Sequence, residues 1–264
     1  MKMQRLQEMK KLFINKKNVT NKELCETFGI SIETVRRDLD SLQAEGFIRK
    51  VYGGASLAEL SNNAINVDEW SVRINTNAES KFQMAQKVVE LIPEGSTVFL
   101  DSGTSVYEVS TLMAQKKSLT VLTNSIRVAE VLGMNPGITV YFIGGVIQPD
   151  ILASSGIFAS EFLSNFYHIE YAIISCDGFV STVGTTEQSL SITLLKKQIL
   201  EKTEKTILVV DHSKFGISGS CICCPISKIS MVITDSQTDK TEIEELQKKS
   251  INVVVADDSS NLPV

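Results

Sequence analysis

Two groups of residues in this 264-residue chain have types and spacings suited to phosphate-bearing partners. The first is Asp101-Ser102-Gly103-Thr104-Ser105, which follows the apolar run Thr97-Val98-Phe99-Leu100 and precedes a helical pattern. A Ser/Gly/Thr segment between a strand and a helix offers backbone amides, and here the hydroxyls of Ser102, Thr104 and Ser105, as a nest for an anion. That position is the edge where open α/β sheets take their ligands. Thr123 and Asn124 end the next apolar run and are expected at the same edge, and Gly103, Gly144 and Gly145 permit close backbone approach. Lys214, in a loop after a further strand, would neutralise a phosphate, and Asp101 or Asp177 would accept hydroxyls. Singly, these residues have plainer readings as a helix start, a solvated lysine and a turn at Asp177-Gly178. Their convergence on the carboxyl ends of one sheet is what predicts a pocket.

The second group lies between Thr20 and Ala55. Ser31 and Thr34 suit phosphate or base contact, Arg37 suits a guanine edge, and Arg36 suits either. Arg49, Lys50 and Tyr52 would hold the adjacent backbone or enter the minor groove, with arginine supplying a rigid donor fork that lysine lacks. A pair of arginines alone is often a solvated, ion-paired helix face, here with Glu33 or Asp40 as partners. The case for duplex DNA rests on the whole block of helix, capped short helix, glycine turn, capped second helix and basic wing.

The elements that position these residues follow from periodicity and capping. Residues 4–14 carry a helical stripe of Leu6, Met9, Leu12 and Phe13, and the Asn/Lys stretch after them reads as a loop. Thr20 with Glu23 three residues on has the capping-box pattern for a helix that stops at Gly29. Ser31 caps the next, whose apolar face is Ile32, Val35, Leu39 and Leu42; Gly46 ends it, and two short strands follow around Tyr52-Gly53-Gly54. Residues 56–78 are rich in Ser and Asn without a sustained period, and read as a connection from which Trp70 docks onto the second domain. From Glu79 onward, helices of about ten residues alternate with strands apolar on both faces, a pattern that predicts a mostly parallel sheet covered on both sides. The expected domains are therefore 1–57, a winged helix-turn-helix; 58–78, a linker; and 79–264, an α/β domain for effector binding and oligomerisation.

Composition narrows the class further. The start of the chain is charged throughout and no stretch approaches the roughly 20 apolar residues of a membrane span, so a cytoplasmic protein with no membrane partner is expected. Five cysteines, an odd number, make no disulfide framework. Cys221, Cys223 and Cys224 sit too close together on one strand for a tetrahedral metal site, and neither a metal nor a cofactor is expected. Residues 1–55 hold 11 Lys/Arg against 7 Asp/Glu, a balance of +4 that leaves −9 for the rest of a chain of net charge −5. A basic head on an acidic body predicts that only the head meets a polyanion.

The run Ser31-Ile32-Glu33-Thr34-Val35-Arg36-Arg37-Asp38-Leu39, with Glu45-Gly46, Arg49 and Gly53-Gly54-Ala55 after it, resembles the signature of the DeoR/GlpR family of bacterial transcriptional regulators. The resemblance continues through Glu79-x-Lys81, Phe99 to Ser105, Val121-Leu122-Thr123-Asn124-Ser125, Gly144-Gly145, Asp177-Gly178, Gly184-Thr185 and Asp211 to Gly216. It departs from the family at Ser105, where threonine is usual, and at His212, where a small hydroxyl residue is common. It implies a winged helix-turn-helix joined to a sensor domain related in fold to ribose-5-phosphate isomerase, double-stranded operator DNA and a phosphorylated sugar as partners, and repression of sugar-metabolism genes. A head this small needs symmetric pairing to read a site, so a homodimer or homotetramer is expected. Asp101, Asp177, Glu187 and Lys214 also offer acid–base groups, but the resemblance to regulators predicts no catalysis. Two alternatives remain: a winged-helix regulator sensing a non-sugar anionic metabolite, and a phosphosugar-processing enzyme carrying a DNA-binding domain.

Overall fold

The computed structural model describes residues 2–16, 18–44, 47–51, 53–57 and 67–256, and divides the chain into two compact units, Met1–Ile65 and Asn66–Val264. The first unit runs α1 (Lys2–Lys16), β1 (Asn18–Thr20), α2 (Asn21–Phe28), α3 (Ile32–Ala44), β2 (Ile48–Val51) and β3 (Gly54–Leu57). Thr20 caps α2 by accepting from the Glu23 amide at 3.2 Å, and Gly29 ends it in the left-handed region at φ 61°. Met9, Phe13, Val19, Leu24, Val35, Leu39, Leu42, Ile48 and Ala55 form its core. Three features of α1–β3 differ from expectation. Ile32, assigned to the apolar face, is exposed, at the first residue of α3. Asp38 is buried and accepts from Arg5 Nε at 2.7 Å, tying α3 to α1. The Asn/Lys loop contains β1, which pairs antiparallel with β3 to complete a sheet of order β1-β3-β2. A Cβ on Gly54 would lie 2.3 Å from the Val19 carbonyl, so that close pairing needs glycine there. Gly46, the expected helix stop, lies outside the described residues.

The second unit begins with α4 (Val67–Asn75), within the stretch read as linker. It continues through α5 (Ala78–Leu91), β4 (Thr97–Leu100), α6 (Thr104–Met113), β5 (Leu119–Thr123), α7 (Ile126–Gly133), β6 (Ile138–Phe142), β7 (Val146–Gln148), β8 (Ala153–Ser155) and α8 (Ile157–Ser164). Then follow β9 (Ile169–Ile174), β10 (Gly178–Val180), β11 (Gly184–Glu187), α9 (Leu190–Glu201), β12 (Thr203–Val209), β13 (Cys221–Pro225), β14 (Met231–Asp235), α10 (Lys240–Lys248) and β15 (Asn252–Ala256). Seven strands form one sheet of order β15-β14-β12-β9-β4-β5-β6 with every neighbouring pair parallel. Alternation along β4 sends Phe99 to one buried face and Val98 and Leu100 to the other, so the sheet carries a core on each side. The chain leaves β4 toward β5 on one side and meets β9 on the other. Their carboxyl ends therefore open a crevice at the switch in strand order. Two antiparallel pieces border it, the β7–β8 hairpin and a sheet of order β10-β11-β13.

Candidate functional site

In the first unit, Ser31, Arg36, Arg37 and Arg49 are exposed, Thr34 and Lys50 half-buried. Ser31 Oγ accepts from the Thr34 amide at 3.4 Å and meets Thr34 Oγ1 at 3.0 Å, so both hydroxyls sit at the amino end of α3. Among the described residues no carboxylate pairs with Arg36 or Arg37, whereas Lys50 is ion-paired with Asp40. Tyr52 lies outside the described residues.

In the second unit the crevice at the β4 and β9 carboxyl ends is a two-lobed cleft. The larger lobe, of about 160 Å³, is lined by Asp101, Ser102, Gly103, Thr104 and Asp177, together with Trp70, Arg73, Gln148, Glu187 and Lys196. The smaller is lined by Ser105, Lys214, Lys81, Thr76, Asp211 and Ser213, and the lobes share Arg73, Thr104, Ser175 and Cys176. Thr123, Asn124, Gly144 and Gly145 line neither lobe. Thr123 Oγ1 accepts from the Ser125 amide at 3.0 Å and Asn124 Nδ2 donates to the Ser154 carbonyl at 3.1 Å, both fully buried. Gly145, at φ 136°, lets the chain pass where a Cβ would lie 2.4 Å from the Ser155 carbonyl. These residues hold the β7–β8 hairpin in place, and the hairpin brings Gln148 to the cleft.

Asp101 has little capacity left for a ligand. Its Oδ1 accepts from the Ser102 amide at 2.8 Å, and its Oδ2 from the Ser175 amide at 3.0 Å, Ser175 Oγ at 3.2 Å and Lys196 Nζ at 2.7 Å. Lys196 also donates to Glu187 Oε1 at 2.5 Å and to the Ser175 carbonyl at 2.8 Å. Burial by itself would pull the Lys196 ammonium down, but Asp101 and Glu187 outweigh it and hold it well above the ordinary lysine value. Glu187 goes the other way: burial raises its carboxyl to about 7 despite Lys196, with Asp101 and Asp177 adding to the rise. Burial likewise holds the Cys176 thiol well above its ordinary value, so it stays protonated. Gly103 has a packing role too, since a Cβ there would lie 1.9 Å from Ser175 Oγ.

Other charged groups line the cleft. Asp177 is half-buried; it accepts from the Gln188 amide at 2.9 Å, and its other oxygen stands 4.0 Å from Arg73 Nη2. Lys81 donates to the Thr76 carbonyl at 2.6 Å and to the Arg73 carbonyl, fastening the end of α4. Burial lowers its ammonium to about 8; Asp211 opposes this and the nearby charges of Arg73 and Lys214 add to it. Arg73, Lys81 and Lys214 thus form a positive cluster beside the amino end of α6 and the hydroxyls of Thr104, Ser105 and Ser213. Trp70 forms a wall of the larger lobe, edge-on to Tyr107 at 5.2 Å and with the Arg127 guanidinium 3.7 Å from its ring centroid.

Sequence reasoning missed Lys196, Trp70, Arg73 and Gln148 as site residues. Lys196 had a signal: it falls four residues after Ile192 and three before Ile199, inside the apolar stripe of α9, where a lysine must find buried carboxylates. Cys221–Pro225 is a strand, and among the described residues no group of three or more His, Cys, Asp or Glu could hold a metal ion. No described helix is long and apolar enough to cross a membrane.

Comparison with known proteins places both units. The DeoR-like helix-turn-helix domain family matches residues 5–60, and the DeoR C terminal sensor domain family matches residues 76–236. The glycerol-3-phosphate regulon repressor of Escherichia coli is 33% identical over 218 residues, 83% of this chain and 84% of its own. The HTH-type transcriptional regulator IolR of Bacillus subtilis is 29% identical over 256 residues, 97% of this chain and all of its own. Among solved structures, ribose 5 phosphate isomerase A from Neisseria gonorrhoeae overlaps about half of each chain, 52% of this one and 53% of that, at 18% identity and a TM-score of 0.39. With a helix-turn-helix head and a larger unit that matches the DeoR C terminal sensor domain, the chain belongs to the DeoR family of transcriptional regulators.

Proposed function

We propose that this regulator represses sugar-metabolism genes, binds operator DNA as a symmetric oligomer, and responds to a phosphorylated sugar held in the cleft of its second unit. The observation that carries the reading is the division of that cleft. One lobe gathers Arg73, Lys81 and Lys214 with hydroxyls and a helix amino end, the donor set for a phosphate. The other offers Asp177, Gln148 and Glu187 beside Trp70, the groups that take sugar hydroxyls and a carbon backbone. A ligand that spans both has an anionic end and a polyhydroxy end. The repression of a glycerol-3-phosphate regulon by one relative supports the phosphate end. The head contributes Ser31, Thr34, Arg36, Arg37 and Arg49 to DNA, with Tyr52 and Lys50 on the wing, and the whole acts in the cytoplasm where its operator lies.

A thermal-shift panel of phosphorylated sugars, their unphosphorylated parents and inorganic phosphate tests this, because a ligand that binds only the folded state raises its apparent stability. The expected result is a shift of several degrees from one phosphosugar, a small shift from phosphate and none from the parent sugar. Silence across the panel, or an equal shift from the parent, would overturn the phosphosugar reading.

A further inference from the structure

The two lobes of the cleft are oppositely charged. The smaller is lined by three cations, Arg73, Lys81 and Lys214, against one carboxylate, Asp211. The larger is lined by four carboxylates, Asp101, Asp150, Asp177 and Glu187, against two cations, Lys196 and Arg73, and Arg73 is shared with the smaller lobe. Lys196 has nothing left for a ligand, because the three N–H donors of its ammonium are taken by Asp101, Glu187 Oε1 and the Ser175 carbonyl. Asp101 is consumed in the same network. Asp177 keeps Oδ1 at 4.0 Å from Arg73 Nη2, too long for a hydrogen bond. Glu187 lines the lobe and is only 6% exposed, and among the described residues no group donates to its Oε2. A nearly buried carboxylate oxygen without a partner on a cavity wall needs a donor from whatever fills the cavity. Burial raises this carboxyl to about 7 despite Lys196, with Asp101 and Asp177 adding to the rise, so positive charge is short on this wall.

We infer that the end of the effector in the larger lobe carries an ammonium group, so that the ligand is a phosphorylated amino sugar with its phosphate at Arg73, Lys81 and Lys214 and its amine beside Asp177 and Glu187. The inference rests on the phosphosugar reading above and narrows it. An ammonium suits this wall better than a further hydroxyl does. A hydroxyl gives Glu187 Oε2 one neutral hydrogen bond, whereas an ammonium gives it a stronger charge-assisted one and has a further donor for Asp177. A phosphate at Arg73 also competes with Asp177 for that guanidinium, so an occupied cleft leaves Asp177 short of a cation. A metal ion does not supply the missing charge, since among the described residues no group of three or more His, Cys, Asp or Glu could hold one. The cation that fits therefore arrives on the ligand, and a ligand of opposite charge at its two ends matches the opposite charges of the two lobes.

Calorimetric titration of the full-length protein at neutral pH with matched pairs of ligands tests the assignment: the 6-phosphates of glucosamine, galactosamine and mannosamine against those of glucose, galactose and mannose. At least one amino sugar phosphate is expected to bind about tenfold more tightly than its hydroxyl counterpart, the difference between a charge-assisted and a neutral hydrogen bond. N-acetylation, which keeps the nitrogen and removes its charge, is expected to abolish that advantage. Glu187→Gln and, separately, Asp177→Asn keep the shape of the wall and should remove most of the advantage, whereas Lys214→Ala should weaken both members of a pair alike. Far-UV circular dichroism and the melting temperature establish that each variant is folded, and two variants of the wall guard against one failing to fold. Hydroxyl sugar phosphates that bind as tightly as their amino counterparts, or more tightly, would overturn the ammonium and leave the phosphosugar reading standing. Silence from both members of every pair would overturn the two together.

Discussion

Lys196 donates to Asp101 at 2.7 Å across 95 residues of sequence, and both side chains are almost fully buried beneath the cleft. The contact links the end of β4 to the middle of α9 and leaves the ammonium satisfied by two carboxylates and one carbonyl. Buried charges are tolerated only when paired, and removing one partner strands the other. Lys196→Met is therefore expected to cost about 3–5 kcal/mol, the range for breaking a buried pair. Urea denaturation of the variant reads this directly; a loss under about 1 kcal/mol would mean that the pair does not hold the floor of the cleft.

Glu187 gives the same floor a pH dependence. Its folded-state value of about 7 lies above its ordinary 4.5, so the fold binds this proton more tightly than the unfolded chain does. The resulting stability is fully present below pH 4.5 and is lost as the pH rises through 7. The difference corresponds to roughly 3 kcal/mol at about 1.4 kcal/mol per pKa unit. Between about pH 5 and 7.5 the wild type should lose stability by an amount of that order, and Glu187→Gln, which cannot ionise, should lose much less. Denaturant midpoints across this window decide it: parallel curves for the two proteins would assign the dependence to other groups.

A third expectation concerns the cationic lobe. Lys81 is held near 8 by burial and by Arg73 and Lys214, so it loses its proton just above neutrality while it still fastens α4. If the lobe takes the phosphate, affinity for a phosphorylated ligand should fall as the pH rises from about 7 to 9. Lys214→Ala should remove most of the phosphate-dependent thermal shift and spare the melting temperature of the unliganded protein, because Lys214 is half-buried and its ammonium is not among the structural contacts of the cleft. Calorimetric titration at the two ends of that range checks the first part. Affinity that holds steady across it would remove Lys81 from the ligand shell.

Much of this architecture is visible in the chain because its causes are local. Thr20, Gly29 and Ser31 mark the boundaries of α2 and α3 by capping, which acts within one turn. Runs such as Thr97–Leu100 and Leu119–Thr123 declare central strands because both of their faces are buried. The short pieces β1, β7, β8, β10 and β11 declare nothing comparable, since three or four residues carry no period and their pairing is supplied by neighbours. The cleft divides in the same way. Asp101 to Ser105 are legible as a strand-to-helix turn, but the role of Asp101 is not, because Lys196 and Ser175 reach it only through the fold. Trp70 and Arg73 lie in a stretch without period, and α4 is held by residues remote in sequence, Lys81 at its end and Tyr107 and Arg127 at Trp70.

The head offers a separation between reading and anchoring. Arg37 is exposed and unpaired among the described residues, free to place its planar fork on a base, whereas Lys50 must leave Asp40 before it can reach a phosphate. Arg37→Ala is expected to cost about 1–3 kcal/mol on the preferred operator and far less on unrelated DNA, so that specificity relaxes. Lys50→Ala should weaken binding to all sequences alike and reduce the slope of log affinity against log salt by about one. Asp40→Asn releases Lys50 without removing it, and should strengthen binding to every sequence while leaving the preference among them unchanged. Titrations of the full-length protein on specific and scrambled duplexes at several salt concentrations resolve all three variants. An Arg37→Ala protein that loses affinity equally on both duplexes would assign this arginine to the backbone and leave base reading to Arg36.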